Sequence, residues 1–332
     1  MLKIYSPGTG GATCVTATDH VTLPDGAVWL DLINPTRDEE KFVERAVGIE
    51  VPTRDEMVEI EPSSRLYTEN GATFLTANLL TGVSSGDPHS AAVGFVLTAA
   101  HLITIRYDDP KVFESFSARV ARAPLIGTDP AMTLVNLLDA IVDRLADNLE
   151  GVGDEMDNIS RGTFRRGAVA SGVEGRKQQR LTNAALQVIL GRIARAQDGI
   201  SKARDSAVSL GRLVSFLSFA LKKDNNGKRD HLKTLSRDLA SLTDHATYLG
   251  GNVTFLLDAA LGLISIEQNA IIKIFSVAAV IFLPPTLVAS LYGMNFTHMP
   301  ELQWQYGYPM AVGAMILSAV LPYLFFKARG WL

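Results

Sequence analysis

Residues 271–332 read IIKIFSVAAVIFLPPTLVASLYGMNFTHMPELQWQYGYPMAVGAMILSAVLPYLFFKARGWL. Two runs within them, 274–291 and 308–326, contain no charged residue. Each is close to the ~20 residues with which a helix crosses about 30 Å of hydrocarbon. A soluble core helix is sometimes this apolar once. Two such runs in succession, in a chain that is 20% charged, predict a membrane hairpin.

The connecting loop, 292–306, contains no Lys or Arg. Lys273 precedes the first run, and Lys327 and Arg329 follow the second. Positive residues stay on the cytoplasmic side. Both termini are therefore expected in the cytoplasm and the short loop outside.

The loop carries the most specific motifs. It reads Tyr292-Gly293-Met294-Asn295-Phe296, then Met299-Pro300-Glu301-Leu302, Trp304 and Tyr306-Gly307-Tyr308-Pro309. This resembles the CorA family of magnesium channels, whose hallmark is Gly-Met-Asn at the end of the first span. Ile266-Glu267-Gln268-Asn269 before the span and the ending Phe326-Lys327…Trp331-Leu332 are similar too. So are Trp29-Leu30-Asp31-Leu32…Pro35 and Ile60-Glu61…Ser64-Arg65, which resemble the family's cytosolic domain.

Composition sets the outer bounds. With 332 residues and 47% hydrophobic content, the chain is long enough for a soluble region besides the hairpin. The start, MLKIYSPGTGG, contains no apolar signal region. A single cysteine, Cys14, allows no internal disulfide and fits a reducing cytosol. The net charge of −4 gives no reason to expect a nucleic-acid partner. Pro7-Gly8-Thr9-Gly10-Gly11 lacks the Gly-Lys-Ser/Thr of a phosphate-binding loop and reads as a turn. With no metal-hydrolase, nucleophile or nucleotide motif, an enzyme is not expected.

The first ~110 residues predict mixed helix and strand. Residues 27–32 read as a strand and 37–47 as a short helix opened by Pro35-Thr36. Residues 65–69 and 73–79 flank Asn70-Gly71, a strong hairpin signal. Residues 92–98 and 102–106 form a second pair of strands. From Asp129-Pro130 the chain turns helical, with Asp129 as cap and Pro130 as first helical residue. One helix is expected to about Ile159, a loop over 161–175, and a second helix over 176–222. A third begins near Arg229 and leads into the first span, ~95 Å long if continuous to Leu291. Gly250-Gly251 marks a candidate bend within it.

The expected architecture is an α+β cytosolic domain whose long helices lead into an all-α two-span transmembrane hairpin, in a funnel-shaped homo-oligomer. The expected divisions are 1–125 (N-terminal α/β domain), 126–270 (long helices and stalk), 271–291 (first span), 292–307 (periplasmic loop), 308–327 (second span) and 328–332 (cytosolic tail).

One hairpin cannot enclose an aqueous path, so a pore requires several copies around an axis. The resemblance implies a homopentamer in the cell inner membrane. It also implies Mg²⁺ as the main ion, with Co²⁺ and Ni²⁺ as further cargo, and Gly293, Met294 and Asn295 as the selectivity filter. In the first span Asn269, Ile272, Ser276, Ala279, Leu283 and Thr286 recur at steps of three and four, forming a candidate pore-lining face. Mg²⁺ dehydrates reluctantly, so amide oxygens of Asn295 suit a hydrated ion. Ile272 and Leu283 are candidate hydrophobic constrictions. Glu301 is the only acid of the loop and a candidate concentrator of cations at the outer mouth. His298 admits zinc, so a zinc transporter of the same superfamily is one alternative. A non-conducting membrane-anchored scaffold or sensor is another.

Asp139, Asp143, Asp147, Glu150 and Asp154 predict an acidic face on the first long helix. The resemblance further implies closure when cytosolic Mg²⁺ bridges carboxylates of neighbouring chains. Asp87, Asp238, Asp244 and Asp258 are the candidate regulatory ligands. The basic stretch Arg161, Arg165, Arg166, Arg176 and Lys177 is a candidate contact for anionic membrane lipids.

Overall fold

The computed structural model describes residues 1–6, 12–15, 22–59, 61, 65–83, 86–122, 128–168, 183–221, 226–294 and 304–330. They form two compact units: Met1–Arg180 with Gln187–Leu257, and Leu181–Leu186 with Asp258–Leu332.

A seven-stranded sheet organises the first unit. Its strands are β1 (Leu2–Tyr5), β2 (Ala12–Val15), β3 (Trp29–Ile33), β4 (Leu66–Glu69), β5 (Ala72–Thr81), β6 (His89–Leu97) and β7 (Leu102–Arg106). They run in the order β2-β1-β3-β7-β6-β5-β4. The β3–β7 pair is parallel and the other pairs are antiparallel. Trp29, Leu30, Asp31 and Leu32 of β3 and Leu102, Ile103, Thr104 and Ile105 of β7 are all buried, so both faces of the parallel pair are covered. That double-sided burial is the usual condition of parallel strands.

Local chemistry sets the turns and helix ends. Asn70 and Gly71 have φ of 50° and 79°, and they join Glu69 to Ala72 across the β4–β5 pair. A two-residue type I′ turn requires positive φ at both positions, which Asn-Gly tolerates best. Helix α1 (Arg37–Val47) starts on a capping box in which Thr36 and Glu39 satisfy each other's backbone N–H groups, and it stops at Gly48 in the left-handed region. Helix α2 (Arg54–Val58) repeats the device with Thr53 and Glu56. Helix α3 (Lys111–Arg122) follows β7 and buries Val112, Phe113 and Phe116.

Three long helices complete the series before the last: α4 (Pro130–Ala168), α5 (Asn183–Ala220) and α6 (Asn226–Tyr292). The Ala131 N–H donates to Asp129 Oδ1 at 2.9 Å, so Asp129 caps α4. Within the first unit, buried positions recur at helical spacing. On α4 they are Leu134, Leu138, Ile141 and Leu145; on α5 Ile200, Ala203, Ala207 and Leu210; on α6 Leu232, Leu235, Leu239 and Ala246. Gly153 of α4 faces Leu249 of α6, and Gly199 of α5 faces Val152 of α4; a Cβ at either glycine would lie 3.7 Å from that neighbour. Ion pairs reinforce the packing, with Arg192 Nε 2.7 Å from Glu155 Oε1 and Lys228 Nζ 2.6 Å from Asp129 Oδ2. Partly exposed pairs of this kind contribute at most ~1 kcal/mol each.

Several expectations are corrected. β1, β2, α2 and α3 were not foreseen. α4 does not end near Ile159 but continues to Ala168, so Arg161 is helical. Arginine is a good helix former, and Arg161 Nε donates to the Asp157 carbonyl one turn back at 3.3 Å. Residues 169–182, and with them Arg176 and Lys177, lie outside the described residues, as does the turn 7–11. α6 begins at Asn226 and passes unbroken through Gly250-Gly251 and through Pro284-Pro285. A Cβ at Gly250 or Gly251 would meet nothing within 4 Å, so nothing there forces a bend.

In the second unit, the end of α6 and helix α7 (Gly307–Ala328) contain the two apolar runs. Both helices are long and apolar enough to cross a membrane.

Candidate ion pathway and acidic surfaces

The end of α6 has two unlike sides. Val277, Ile281, Pro284, Val288 and Tyr292 are covered by the chain itself, Val277 most completely. At 3.6 residues per turn they share an arc of roughly 80°. The predicted stripe of Asn269, Ile272, Ser276, Ala279, Leu283 and Thr286 is exposed at every position. It spans about 100° of arc, centred roughly 150° from the covered side. The chain thus leaves free the face that combines two polar ends with small and apolar residues between. Thr286 Oγ1 donates to the Phe282 carbonyl at 2.8 Å, so its hydroxyl oxygen remains an acceptor toward the open side.

The same step extends the stripe to Ser290, also exposed, and to Gly293. The sequence reading stopped at Thr286, although the three-and-four spacing already contained Ser290. Large apolar side chains flank the stripe. Phe275 and Phe282 are 72% and 71% exposed, and Tyr308 of α7 is 81% exposed. An apolar surface of this extent requires lipid or further protein against it.

At the end of α6 the Gly293 N–H donates to the Ala289 carbonyl at 2.9 Å, continuing the helical pattern. Gly293 does not take a left-handed φ, so no sharp glycine turn is made there. The glycine matters for space instead, because a Cβ there would sit 3.1 Å from the Ala289 oxygen. The Met294 N–H donates to the Leu291 carbonyl at 3.4 Å, and the Met294 side chain is exposed. Asn295, His298 and Glu301 lie outside the described residues.

The acidic candidates are only partly brought together. On α4, burial and then the charges of Asp139 and Asp147 raise the Asp143 carboxyl above its ordinary value. Asp238 of α6 adds to the repulsion, and Arg119 opposes it. Asp238 therefore faces the acidic side of α4. His231 Nε2 lies 3.2 Å from Asp139 Oδ1 on the same side. Asp244 and Asp258 are exposed on α6, and Asp87 is exposed on the turn before β6. Among the described residues, no three His, Cys, Asp or Glu side chains converge on a metal position.

The turn bearing Asp87 has its own anchor. Gly82 has φ of +74°, and a Cβ there would lie 2.0 Å from the Asp87 carbonyl oxygen, so only glycine fits. His89 Nδ1 lies 2.9 Å from that oxygen, and His89 Nε2 lies 2.5 Å from Asp108 Oδ2. Both neighbours accept, so both ring nitrogens must donate, which requires the imidazolium. The Asp87 carbonyl, then the Asp108 carboxylate, raise the His89 pKa above its usual value. For Asp108, burial pushes upward, but the His89 hydrogen bond and its neighbours leave the carboxyl below the usual value. The histidine's contribution to stability is complete below the ordinary value of 6.5 and is lost as pH rises through the raised value. The aspartate's contribution is present above the ordinary carboxylate range and is lost as pH falls through its lowered value. The difference in unfolding midpoint between wild type and Asp108→Asn is therefore expected to be largest between the ordinary carboxylate range and about pH 6, and to shrink toward about pH 9. Midpoints at both ends of that range check it, and a difference independent of pH would exclude the charged pair.

Comparison with known proteins places this geometry. A sequence model of the family described as CorA-like Mg²⁺ transporter protein matches residues 24–328. The magnesium transport protein CorA of Pasteurella multocida is 35% identical over 308 residues, covering 93% of each chain. That of Sodalis glossinidius is 34% identical over 332 residues, covering both chains fully. The complete structure of the CorA magnesium transporter from Methanocaldococcus jannaschii superimposes with a TM-score of 0.75, over 100% of this chain and 99% of that one, at 16% identity. The chain, with its sheet unit, long helices and two apolar C-terminal helices, belongs to the CorA family of Mg²⁺ transporters.

Proposed function

We propose that copies of this chain assemble around an axis and carry Mg²⁺ into the cytoplasm along a path lined by α6. The observation that carries this reading is the exposed stripe from Asn269 to Thr286, set away from the side that the chain covers for itself. A polar and small-residue face has no use toward lipid, whereas a ring of such faces encloses water. Relatives named magnesium transport proteins support Mg²⁺ as the cargo. Co²⁺ and Ni²⁺ are further cargo in this reading.

Lys273, Lys327 and Arg329 support an orientation with both termini in the cytoplasm of an inner membrane, residues 1–270 inside and 292–307 outside. In that frame Gly293, Met294 and Asn295 form the outer filter, with Glu301 beside it. Asn269 and Thr286 supply inner polar rings, and Ile272 and Leu283 form apolar constrictions that close the path by excluding water. The regulatory ligands are Asp87, Asp238, Asp244 and Asp258, acting between copies. Mg²⁺ bound there offsets like-charge repulsion and holds the closed state; its loss lets the copies separate. The assembly is a homopentamer in contact with membrane lipids.

The test is flux into liposomes containing the purified protein, with Mg²⁺, Co²⁺, Ni²⁺ and Zn²⁺ supplied in turn, and native mass spectrometry of the same sample. The expected result is Mg²⁺ flux by an oligomer. A monomer in lipid, or an oligomer without flux, would overturn the reading; Zn²⁺ flux without Mg²⁺ flux would assign a zinc transporter instead.

A further inference from the structure

A cavity of about 710 Å³ opens in the first unit, lined by Arg65 beside β4, Asn78 of β5, residues of α5 that include Arg204, Asp205 and Arg212, and residues of α6. Three arginines and one aspartate therefore line it. No ion pair joins Arg65, Arg204 or Arg212 to an acid among the described residues.

Arg65 is the unusual member. Its guanidinium donates to Asn78 Oδ1 at 3.4 Å and to the Val58 carbonyl at 3.2 Å, two long bonds to neutral acceptors. Among the described residues, its Nε is the fully buried side-chain polar atom that has no hydrogen-bond partner. Burial, and then the like charge of Arg212, push the Arg65 pKa below its ordinary value. A half-buried cation beside a second cation, with a donor unused, is a costly arrangement unless an anion completes it. The surrounding backbone is already committed, since the Asn78 N–H donates to Ser209 Oγ at 3.0 Å.

We propose that this cavity binds a phosphate-bearing anion through Arg65 and Arg212, with Arg204 at its rim. The planar guanidinium fork matches the oxygens of a phosphoryl group and binds them in pairs. Three positive groups against Asp205 leave a surplus of two charges, which suits a phosphate dianion. The volume is in the range of small-molecule sites and exceeds that of one inorganic phosphate, so an organic phosphate or pyrophosphate fits as well. Phosphoryl oxygens are also principal ligands of Mg²⁺. Taken with the transport reading above, such a site lets the transporter respond to the anions that sequester its cargo.

The experiment is calorimetry of the full-length protein in detergent, in Mg²⁺-free buffer containing EDTA, with ionic strength held constant by chloride. Removing the metal separates direct binding from chelation, and makes the result independent of whether the protein transports Mg²⁺. Inorganic phosphate, pyrophosphate and citrate are titrated in turn. Saturable binding of phosphate or pyrophosphate is expected. Arg212→Glu, an exposed substitution on α5, should weaken it about tenfold or more. Asp205→Asn should tighten it several-fold, an effect no loss of folding would produce. Unfolding midpoints of both variants without ligand control for structure. Absence of saturable binding at millimolar phosphate and pyrophosphate overturns the proposal, as does an affinity unchanged in both variants. Citrate binding tighter than either phosphate assigns the cavity to carboxylates and overturns the phosphate assignment.

Discussion

Asn295→Ala is expected to abolish growth of a Mg²⁺-transport-deficient cell that the wild-type chain rescues at low external Mg²⁺. In the proposed pore, each copy offers one neutral amide to water already bound to the ion. Mg²⁺ holds that water tightly, so the filter must accept hydrogen bonds from it without displacing it. A hydrogen bond of this kind contributes ~1 kcal/mol net, and more beside a charge. In the proposed pentamer, five such bonds lost together amount to about 5 kcal/mol, a drop of roughly 10³-fold or more in occupancy of the filter. Alanine removes the acceptor but leaves the backbone as it is. The variant should therefore reach the membrane at wild-type levels, which immunoblotting of the membrane fraction verifies. The preceding turn supports this selectivity of effect, because the Gly293 N–H still bonds within α6 and does not depend on the next side chain but one. Full rescue by Asn295→Ala would remove the amide ring from the mechanism.

The parts of this protein that were legible beforehand are those fixed by neighbours in the chain. Asn70-Gly71 marked a hairpin turn, and Pro35-Thr36 marked the start of α1. The apolar runs identified the two C-terminal helices by length alone. β1 and β2 escaped because each has four residues, too few for alternation to register beside a Pro-Gly stretch. α3 has an apolar face, but it is short, and no segment was assigned between the strand 102–106 and Asp129. Arg161 and Gly162 suggested a loop by composition, yet the buried Met156 and Ile159 continue the helical face up to them. The same division holds for the site. The stripe on α6 lies within one helix and follows its period. His89 with Asp108, Asp143 with Asp238, and Arg65 with Arg212 meet only because separate elements fold together, so spacing carries no trace of them.

Asp31→Ala is expected to destabilise the first unit by about 3–5 kcal/mol, the largest effect of any single substitution foreseen in the sheet. Asp31 and Arg106 lie on the parallel strands β3 and β7 and are 1% and 2% exposed. Arg106 Nη2 donates to Asp31 Oδ2 at 2.8 Å and Arg106 Nε to Asp31 Oδ1 at 3.1 Å, a paired fork. Thr104 Oγ1 donates to Asp31 Oδ1 at 2.7 Å, and Trp29 Nε1 donates to Thr104 Oγ1 at 2.9 Å, so the carboxylate and its neighbours are satisfied in series. The guanidinium also stands 4.5 Å from the centre of the Phe113 ring and pairs with Asp109. Removing the carboxylate strands Arg106 in the core with its remaining acid, Asp109, at the surface, and leaves the Thr104 hydroxyl without its acceptor. The desolvation cost of the cation is then uncompensated, which is why losing one partner of a buried pair is worse than losing both. Asp31→Ala with Arg106→Met should accordingly be more stable than Asp31→Ala alone. Chemical unfolding of the full-length variants in detergent, followed by circular dichroism, measures both. If Asp31→Ala cost no more than breaking the exposed pair Arg144–Asp147, whose closest approach is 4.0 Å, or if the double variant were the less stable of the two, the buried pair would not be what joins β3 to β7.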